Sequence, residues 1–302
     1  MPSKSQPLVS VIIPCYNHAR YVQDCIQSVI DQTYTNIELI IIDDGSKDNS
    51  IAKIQEMLSA CKERFVRFEF RYRPNQGLSS TLNEALEWCK GDFVSPIASD
   101  DQMLSKKIEL QIPYMLENEE CVAIFGGINQ IDDSNNIVRT LSKKARKYEF
   151  SSIAKLKYFL QAPTQLIRMK DLINIGGYNP EYRIEDWYSY LVLTQSGKYI
   201  YLMQDIVCNY RRHEDNNSKN MELMLEKITI LNNIGLDKEQ ISKYNPYVLL
   251  SIASDLSVDY KKKAIIFWLK TLCSNPIILL DKKMWLISLK IMIPKKVLWR
   301  NR

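Results

Sequence analysis

Three acidic doublets carry the chemistry that this 302-residue sequence could perform: Asp43-Asp44, Asp100-Asp101 and Glu185-Asp186. Adjacent carboxylates can hold a hard divalent cation through oxygen, and a carboxylate can take a proton from an attacking hydroxyl. Both arrangements also have ordinary structural uses. Asp-Asp-Gly-Ser at 43–46 is a common turn and helix-start sequence, and acidic residues favour the first turn of any helix, where the macrodipole is positive. Residue type alone leaves both uses open, so position must decide.

The elements that would position the doublets are legible from periodicity. Val9 to Ile13 is a short β-branched run stopped by Pro14, and Ile37 to Ile42 is a second such run that ends at Asp43. Phe65 to Tyr72 alternates as a third strand, and Phe93 to Ile97 forms a fourth, closed by Ser99-Asp100-Asp101. Between them lie helical stripes: Val22, Cys25, Ile26, Val29 and Ile30; then Ile51, Ile54, Leu58 and Cys61; then Leu78, Leu82, Ala85, Leu86 and Cys89. This βαβαβαβ order predicts an α/β protein with a mostly parallel sheet flanked by helices. Ligands of such sheets bind outside the carboxyl ends of the strands. Those ends carry Tyr16 and Asn17, Asp43 and Asp44, Asn75, and Asp100 and Asp101, so four polar ends converge on one crevice. Neither GxGxxG after the first strand nor GxxxxGK[ST] is present, which argues against a dinucleotide dehydrogenase and a P-loop phosphotransferase.

After residue 103 the pattern is mixed. Val122 to Gly127 and Ile137 to Leu141 read as strands around a polar turn at Asp132 to Asn135, and Leu166 to Ile175 reads as a helix ended by Gly176-Gly177. A helix follows Glu185-Asp186, Tyr199 to Tyr210 reads as a strand, and the residues beyond Asp215-Asn216-Asn217-Ser218 look helical.

The sequence resembles the inverting family 2 glycosyltransferases of the GT-A fold over roughly residues 8–218. The resemblance rests on Val9 to Asn17, on Ser28-Val29-Ile30-Asp31-Gln32-Thr33-Tyr34 and on Glu38 to Ser46, in the family's order and spacing. It implies a GT-A catalytic domain over residues 1–218, with 219–302 a helical region bearing a basic amphipathic tail. It further implies that Pro14, Tyr16 and Asn17 surround a nucleotide's base and ribose, that Asp44 accepts a hydrogen bond from a pyrimidine N–H, and that Asp43 supports the turn. Asp101 first and Asp100 second become ligands of Mn²⁺ or Mg²⁺, an ion that offsets charge on a departing diphosphate. The structural alternative for this doublet is an acidic start to a helix over Met103 to Tyr114. The commonest family form has another Asp two positions before Asp100, and Ala98 stands there.

The same resemblance assigns the base of an inverting displacement to Asp186, with Glu185 as its neighbour. His213 would complete the metal shell or touch the diphosphate, and Arg211 would help neutralise phosphate. His18 is expected at the surface. Asn75, Gly77 and Asn83 are read mainly as turn and helix-anchoring residues near the sugar.

The net charge of +5 hides two parts of opposite sign. Residues 1–260 carry 29 basic and 34 acidic side chains, whereas residues 261–302 carry 11 basic ones against Asp281 alone. Lysines flanking Trp268, Trp285 and Trp299 suit an interfacial helix on an anionic membrane surface; packing on the catalytic domain or a second subunit is the alternative. The basic clusters are separated and accompany no recognised module, which argues against nucleic acid. Seven cysteines without a CxxC pair, no apolar leader and no membrane-spanning run suggest reduced thiols in the cytoplasm, on the inner face of a membrane. The functional expectation is transfer of a sugar from a nucleoside diphosphate donor, most often UDP in this family, to a glycan or lipid-linked acceptor in cell-surface polysaccharide or glycolipid synthesis. The alternative is a non-catalytic nucleotide-sugar-binding or scaffold subunit. Assembly as a homo-oligomer is left open.

Overall fold

The computed structural model describes residues 6–212 and 221–293. In chain order the elements are β1 (Val9–Cys15), α1 (Val22–Ile30), β2 (Ile37–Asp43), α2 (Ser50–Glu56), α3 (Leu58–Arg64), β3 (Arg67–Tyr72), α4 (Leu78–Trp88) and β4 (Phe93–Pro96). There follow β5 (Gln102–Met103), α5 (Lys107–Glu117), β6 (Cys121–Ile131), β7 (Ile137–Leu141), β8 (Arg146–Tyr148), α6 (Phe150–Ala154), β9 (Leu166–Arg168), α7 (Met169–Asn174), α8 (Glu185–Gln195) and β10 (Tyr199–Arg211). Helices α9 (Met221–Asn233), α10 (Lys238–Leu256), α11 (Lys261–Ser274) and α12 (Lys282–Met292) complete the order.

The chain forms two compact units. The first comprises residues 1–150, 159–181 and 192–215, and the second residues 151–158, 182–191 and 216–302. The expected boundary at residue 218 lies outside the described residues, and the segments 151–158 and 182–191 belong with the C-terminal helices.

The first unit is built on one sheet in the order β3-β2-β1-β4-β9-β6-β10-β5, with β7 on β6 and β8 on β10. Strands β3, β2, β1 and β4 are parallel. Every residue of β2 is buried, as its continuous Ile-Glu-Leu-Ile-Ile-Ile run requires of a strand covered on both faces. Pro14 does not stop β1: the strand stays in register with β2 as far as Cys15↔Asp43, while its pairing with β4 ends at Ile12↔Pro96. The imide therefore sits where β1 has a neighbour on one side only, and the missing N–H leaves no gap in a ladder.

Beyond β4 the sheet is mixed. Leu166–Arg168 is a strand, not the start of a helix, because it pairs antiparallel with both β4 and β6; pairing between two buried strands outweighs local helix preference. Helix α7 then ends at Gly176 and Gly177, both left-handed at φ +84° and +76°. The acidic helix start ahead of Met103, the structural alternative for Asp100-Asp101, is absent. Asp100-Asp101 leads into β5, which pairs with β10, and α5 begins only at Lys107.

In the second unit a capping box of Asp237 and Gln240 starts α10. Leu250, Ala253, Ile278, Met284 and Ile287 form a core on which Tyr247, Phe267, Trp268 and Ile291 pack. Helices α11 and α12 each carry a second, exposed apolar stripe: Ile265, Ile266 and Leu269 on one, and Trp285, Leu286, Leu289 and Met292 on the other. No helix among the described residues is long and apolar enough to cross a membrane, and none of the seven cysteines is in a disulfide.

Candidate functional site

In the first unit the loop after β1 and the turn after β2 lock together at the carboxyl end of the sheet. Asn17 adopts a left-handed φ of +55°, its N–H donates to Ser46 Oγ at 2.8 Å, and its Oδ1 accepts the Lys47 N–H at 2.8 Å. Asp43 supports this turn by accepting from the N–H and hydroxyl of Ser46 at 2.8 and 2.6 Å. A side chain at Gly45 would place its first carbon 2.6 Å from Asn75 N, so the turn admits glycine alone. Tyr16 remains exposed at 43% and Pro14 is half-buried.

Asp44 is buried and already engaged. Its Oδ1 accepts from the Arg73 guanidinium and from Gln76 N–H at 2.8 Å, and its Oδ2 from Gly77 N–H at 3.0 Å. Asn75 and Gly77 thus belong to a turn gathered by the second-strand carboxylate. Asn83 anchors another segment: its amide exchanges bonds with Tyr178 O at 2.7 Å and Tyr178 N–H at 2.8 Å.

Asp100 and Asp101 are 9% and 2% exposed. Burial, with the charge of Asp100 adding to it, drives the Asp101 carboxyl well above the usual carboxylate range. The turn that carries them is held by Arg211, whose backbone N–H donates to Asp101 Oδ1 at 2.8 Å and whose Nε donates to Asp100 O at 2.9 Å. Its remaining guanidinium nitrogens donate to Asp132 O at 2.6 Å and Asn135 Oδ1 at 2.5 Å, and the group lies 4.5 Å from the centre of the Tyr21 ring. The guanidinium is therefore enclosed by protein acceptors.

His18 is drawn into the same place. Its Nδ1 lies 2.7 Å from Ser99 Oγ and 3.9 Å from Asp100 Oδ1, which ties the first-strand loop to the fourth-strand turn. Sequence reasoning put His18 at the surface. Its position directly after Asn17, at a strand end that faces a neighbouring strand end, is the signal that pointed inward.

Two adjacent buried carboxyls are a donor set suited to a hard divalent ion. Among the described residues no cluster of three His, Cys, Asp or Glu forms, and His213 lies outside the described residues.

Glu185 and Asp186 lie in the second unit, at the start of α8. Asp186 Oδ1 accepts the Trp187 N–H at 2.6 Å, and the buried Trp187 ring donates from Nε1 to Ile153 O at 3.2 Å. Burial, then the charge of Asp186, pushes Glu185 up to about 8. Burial also raises Asp186, opposed by the Trp187 N–H and by Lys227. Glu226 and Lys227, both of α9, were not legible as site residues, because no local pattern links them to a doublet some forty residues earlier.

A family model described as Glycosyl transferase family 2 matches residues 10–176. The chondroitin synthase of Pasteurella multocida (strain Pm70) is 27% identical over 246 residues, which make up 79% of this chain and 24% of that protein. The chain spans between 24% and 37% of the length of the first curated relatives it matches. Among solved structures, S. aureus TarS 1-349 in complex with UDP-GlcNAc has a TM-score of 0.65 at 18% identity, covering 88% of this chain and 79% of that one. The mannosyltransferase PcManGT from Pyrobaculum calidifontis, in complex with GDP-Man and Mn²⁺, has a TM-score of 0.62 at 13% identity, covering 99% and 89%. With its strand-end loops, its acidic turn and a matching model over more than half its length, the chain belongs to glycosyl transferase family 2 and has the GT-A fold.

Proposed function

We propose that this protein is an inverting, metal-dependent glycosyltransferase that moves a sugar from a nucleoside diphosphate donor, a UDP-sugar first, to a glycan or lipid-linked acceptor in cell-surface polysaccharide or glycolipid synthesis. The observation that carries the reading is the buried Asp100-Asp101 doublet, joined through Ser99 and His18 to the loop after the first strand. Pro14, Tyr16 and Asn17 hold base and ribose, and Asp44 keeps lone-pair capacity for a pyrimidine N–H beside its three bonds within the chain. Asp101 and Asp100, with His213, hold Mn²⁺ or Mg²⁺, which offsets charge on the departing diphosphate. Enclosure of the Arg211 guanidinium supports a role in holding this turn rather than in touching the diphosphate. Asp186 takes the proton of the attacking hydroxyl, and Glu185 is its neighbour. The chondroitin synthase relative and the UDP-GlcNAc and GDP-Man complexes of the structural neighbours support this class of donor and acceptor.

Turnover of UDP-GlcNAc and GDP-Man with Mn²⁺, in wild type and in Asp186→Asn, tests the reading. Turnover in wild type with loss in the variant is expected; equal, negligible turnover in both favours the alternative, a non-catalytic nucleotide-sugar-binding subunit. That alternative has one observation of its own: the exposed Ala98 stands where the commonest family form has a third carboxylate.

We place the enzyme on the cytoplasmic face of an anionic membrane. The exposed stripes of α11 and α12 lie among Lys262, Lys263, Lys270, Lys282 and Lys290, the pattern of an interfacial surface. Flotation with phosphatidylglycerol vesicles is expected, and its persistence in a Trp285→Glu, Leu289→Glu double variant would refute the placement.

A further inference from the structure

The start of α8 is built by a helix remote from it in sequence. Glu226 of α9 accepts the N–H groups of Arg183 and Ile184 on one oxygen, Oε2, at 3.0 and 2.9 Å. These amides precede the helix and need an acceptor from outside it. The next residue, Lys227, is itself fixed: its Nζ donates to Asp255 Oδ2 at 2.7 Å and to Ser251 Oγ at 3.1 Å, both on α10.

The titratable groups that act on one another here come from every neighbouring segment: Glu185 and Asp186 of α8, Glu226 and Lys227 of α9, Asp255 of α10, and the Tyr158 phenol. Their effects on the doublet are unequal. Glu185 is raised by burial and by the charges of Asp186 and Glu226, whereas Asp186 has the Lys227 cation and the Trp187 N–H working against its burial. The two carboxyls of the doublet thus have unequal surroundings, and a pair so placed can be given different tasks.

We propose that Glu226 and Lys227 are positioning residues for the doublet: Glu226 fixes the backbone that presents it, and Lys227, itself fixed by Asp255 and Ser251, holds a cation in the neighbourhood of Asp186. The functional weight of this assignment rests on the reading of Asp186 as the base. The helical region thereby contributes to the chemistry as well as to any surface contact.

The test follows the carboxyl carbons of Asp186 and Glu185 by ¹³C NMR in the full chain, assigned through Asp186→Asn and Glu185→Gln. Lys227→Met is expected to raise the Asp186 midpoint by about one pH unit or more, and Lys227→Arg to return it towards wild type. Superimposable Asp186 titrations in wild type and Lys227→Met overturn the role of Lys227. Lys227→Gln, which keeps a polar head for Ser251, replaces Lys227→Met if that variant does not fold. For Glu226, amide exchange at Arg183 and Ile184 is expected to rise at least about tenfold in Glu226→Ala; unchanged exchange overturns its role. Neither readout needs turnover. An Asp186→Asn protein that still transfers sugar would remove Asp186 as base without moving the Lys227 titrations, so the two failures are distinguishable.

Discussion

Asp100-Asp101 and Glu185-Asp186 are the same kind of dipeptide in two different electrostatic settings. The first sits on a turn between two strands, where Arg211 reaches Asp101 with its backbone N–H while its guanidinium serves the Asp100 and Asp132 carbonyls and Asn135. The second begins a helix, and the Lys227 side chain, fixed by α10, opposes the burial of Asp186. In both doublets a cation opposes the burial of one carboxyl, but only at the first does that cation also hold the doublet's own turn through side-chain hydrogen bonds. A carboxylate pair on a turn braced by a guanidinium suits a metal ion, and a carboxylate pair at a helix start braced from another helix suits proton transfer.

Exchanging the doublets' chemistry breaks this comparison most sharply. Asp186→Asn is expected to lower turnover of UDP-GlcNAc by about 10²–10⁴-fold while leaving the thermal stabilisation by Mn²⁺ and UDP intact. A variant that loses both would mean that the two doublets are not separate in function. Asp101→Asn is expected to lower the same turnover by about 10²–10³-fold and to abolish the Mn²⁺-dependent part of the thermal shift. Retention of that part would move the metal away from this turn.

Arg211→Met removes hydrogen bonds from two carbonyls and Asn135 inside the protein, and denaturant unfolding should show a loss of about 2–4 kcal/mol; a loss below that of an ordinary surface substitution contradicts the clamp. The smallest effect concerns Glu185. An acid whose pKa is raised on folding, here from 4.5 to about 8, stabilises the fold below its unfolded value and loses that contribution as pH rises towards its folded one. Glu185→Gln escapes the loss, so its melting temperature relative to wild type should climb by about 2–4 °C between about pH 5 and about pH 8. A flat difference would mean that Glu185 is not raised.

Periodicity made the parallel half of the sheet legible, because β1 to β4 are continuous apolar runs separated by striped helices. It misjudged Leu166–Arg168, whose state is set by strands β4 and β6 and not by its own residues. The acidic positions stood out by type, but their supports did not. His18 gave a faint signal through its place beside Asn17. Arg211 was visible, with a phosphate contact implied by the resemblance, but the sequence holds no sign that the Asp132 to Asn135 turn would fold over it. Glu226 and Lys227 gave none, since a glutamate and a lysine on a helix read as solvated face until α8 and α10 are placed against them.

The second unit is drawn from segments 151–158, 182–191 and 216–302, which has a consequence for the order of events during synthesis. A ribosome delivers Trp187 and the acidic doublet well before α9 and α10, so for roughly the time taken to add those residues, several seconds at typical elongation rates, the helix start lacks both Glu226 and Lys227. A nascent chain can therefore complete β1 to β4 early, but its Glu185-Asp186 doublet comes into being as a chemical group only when the later helices arrive.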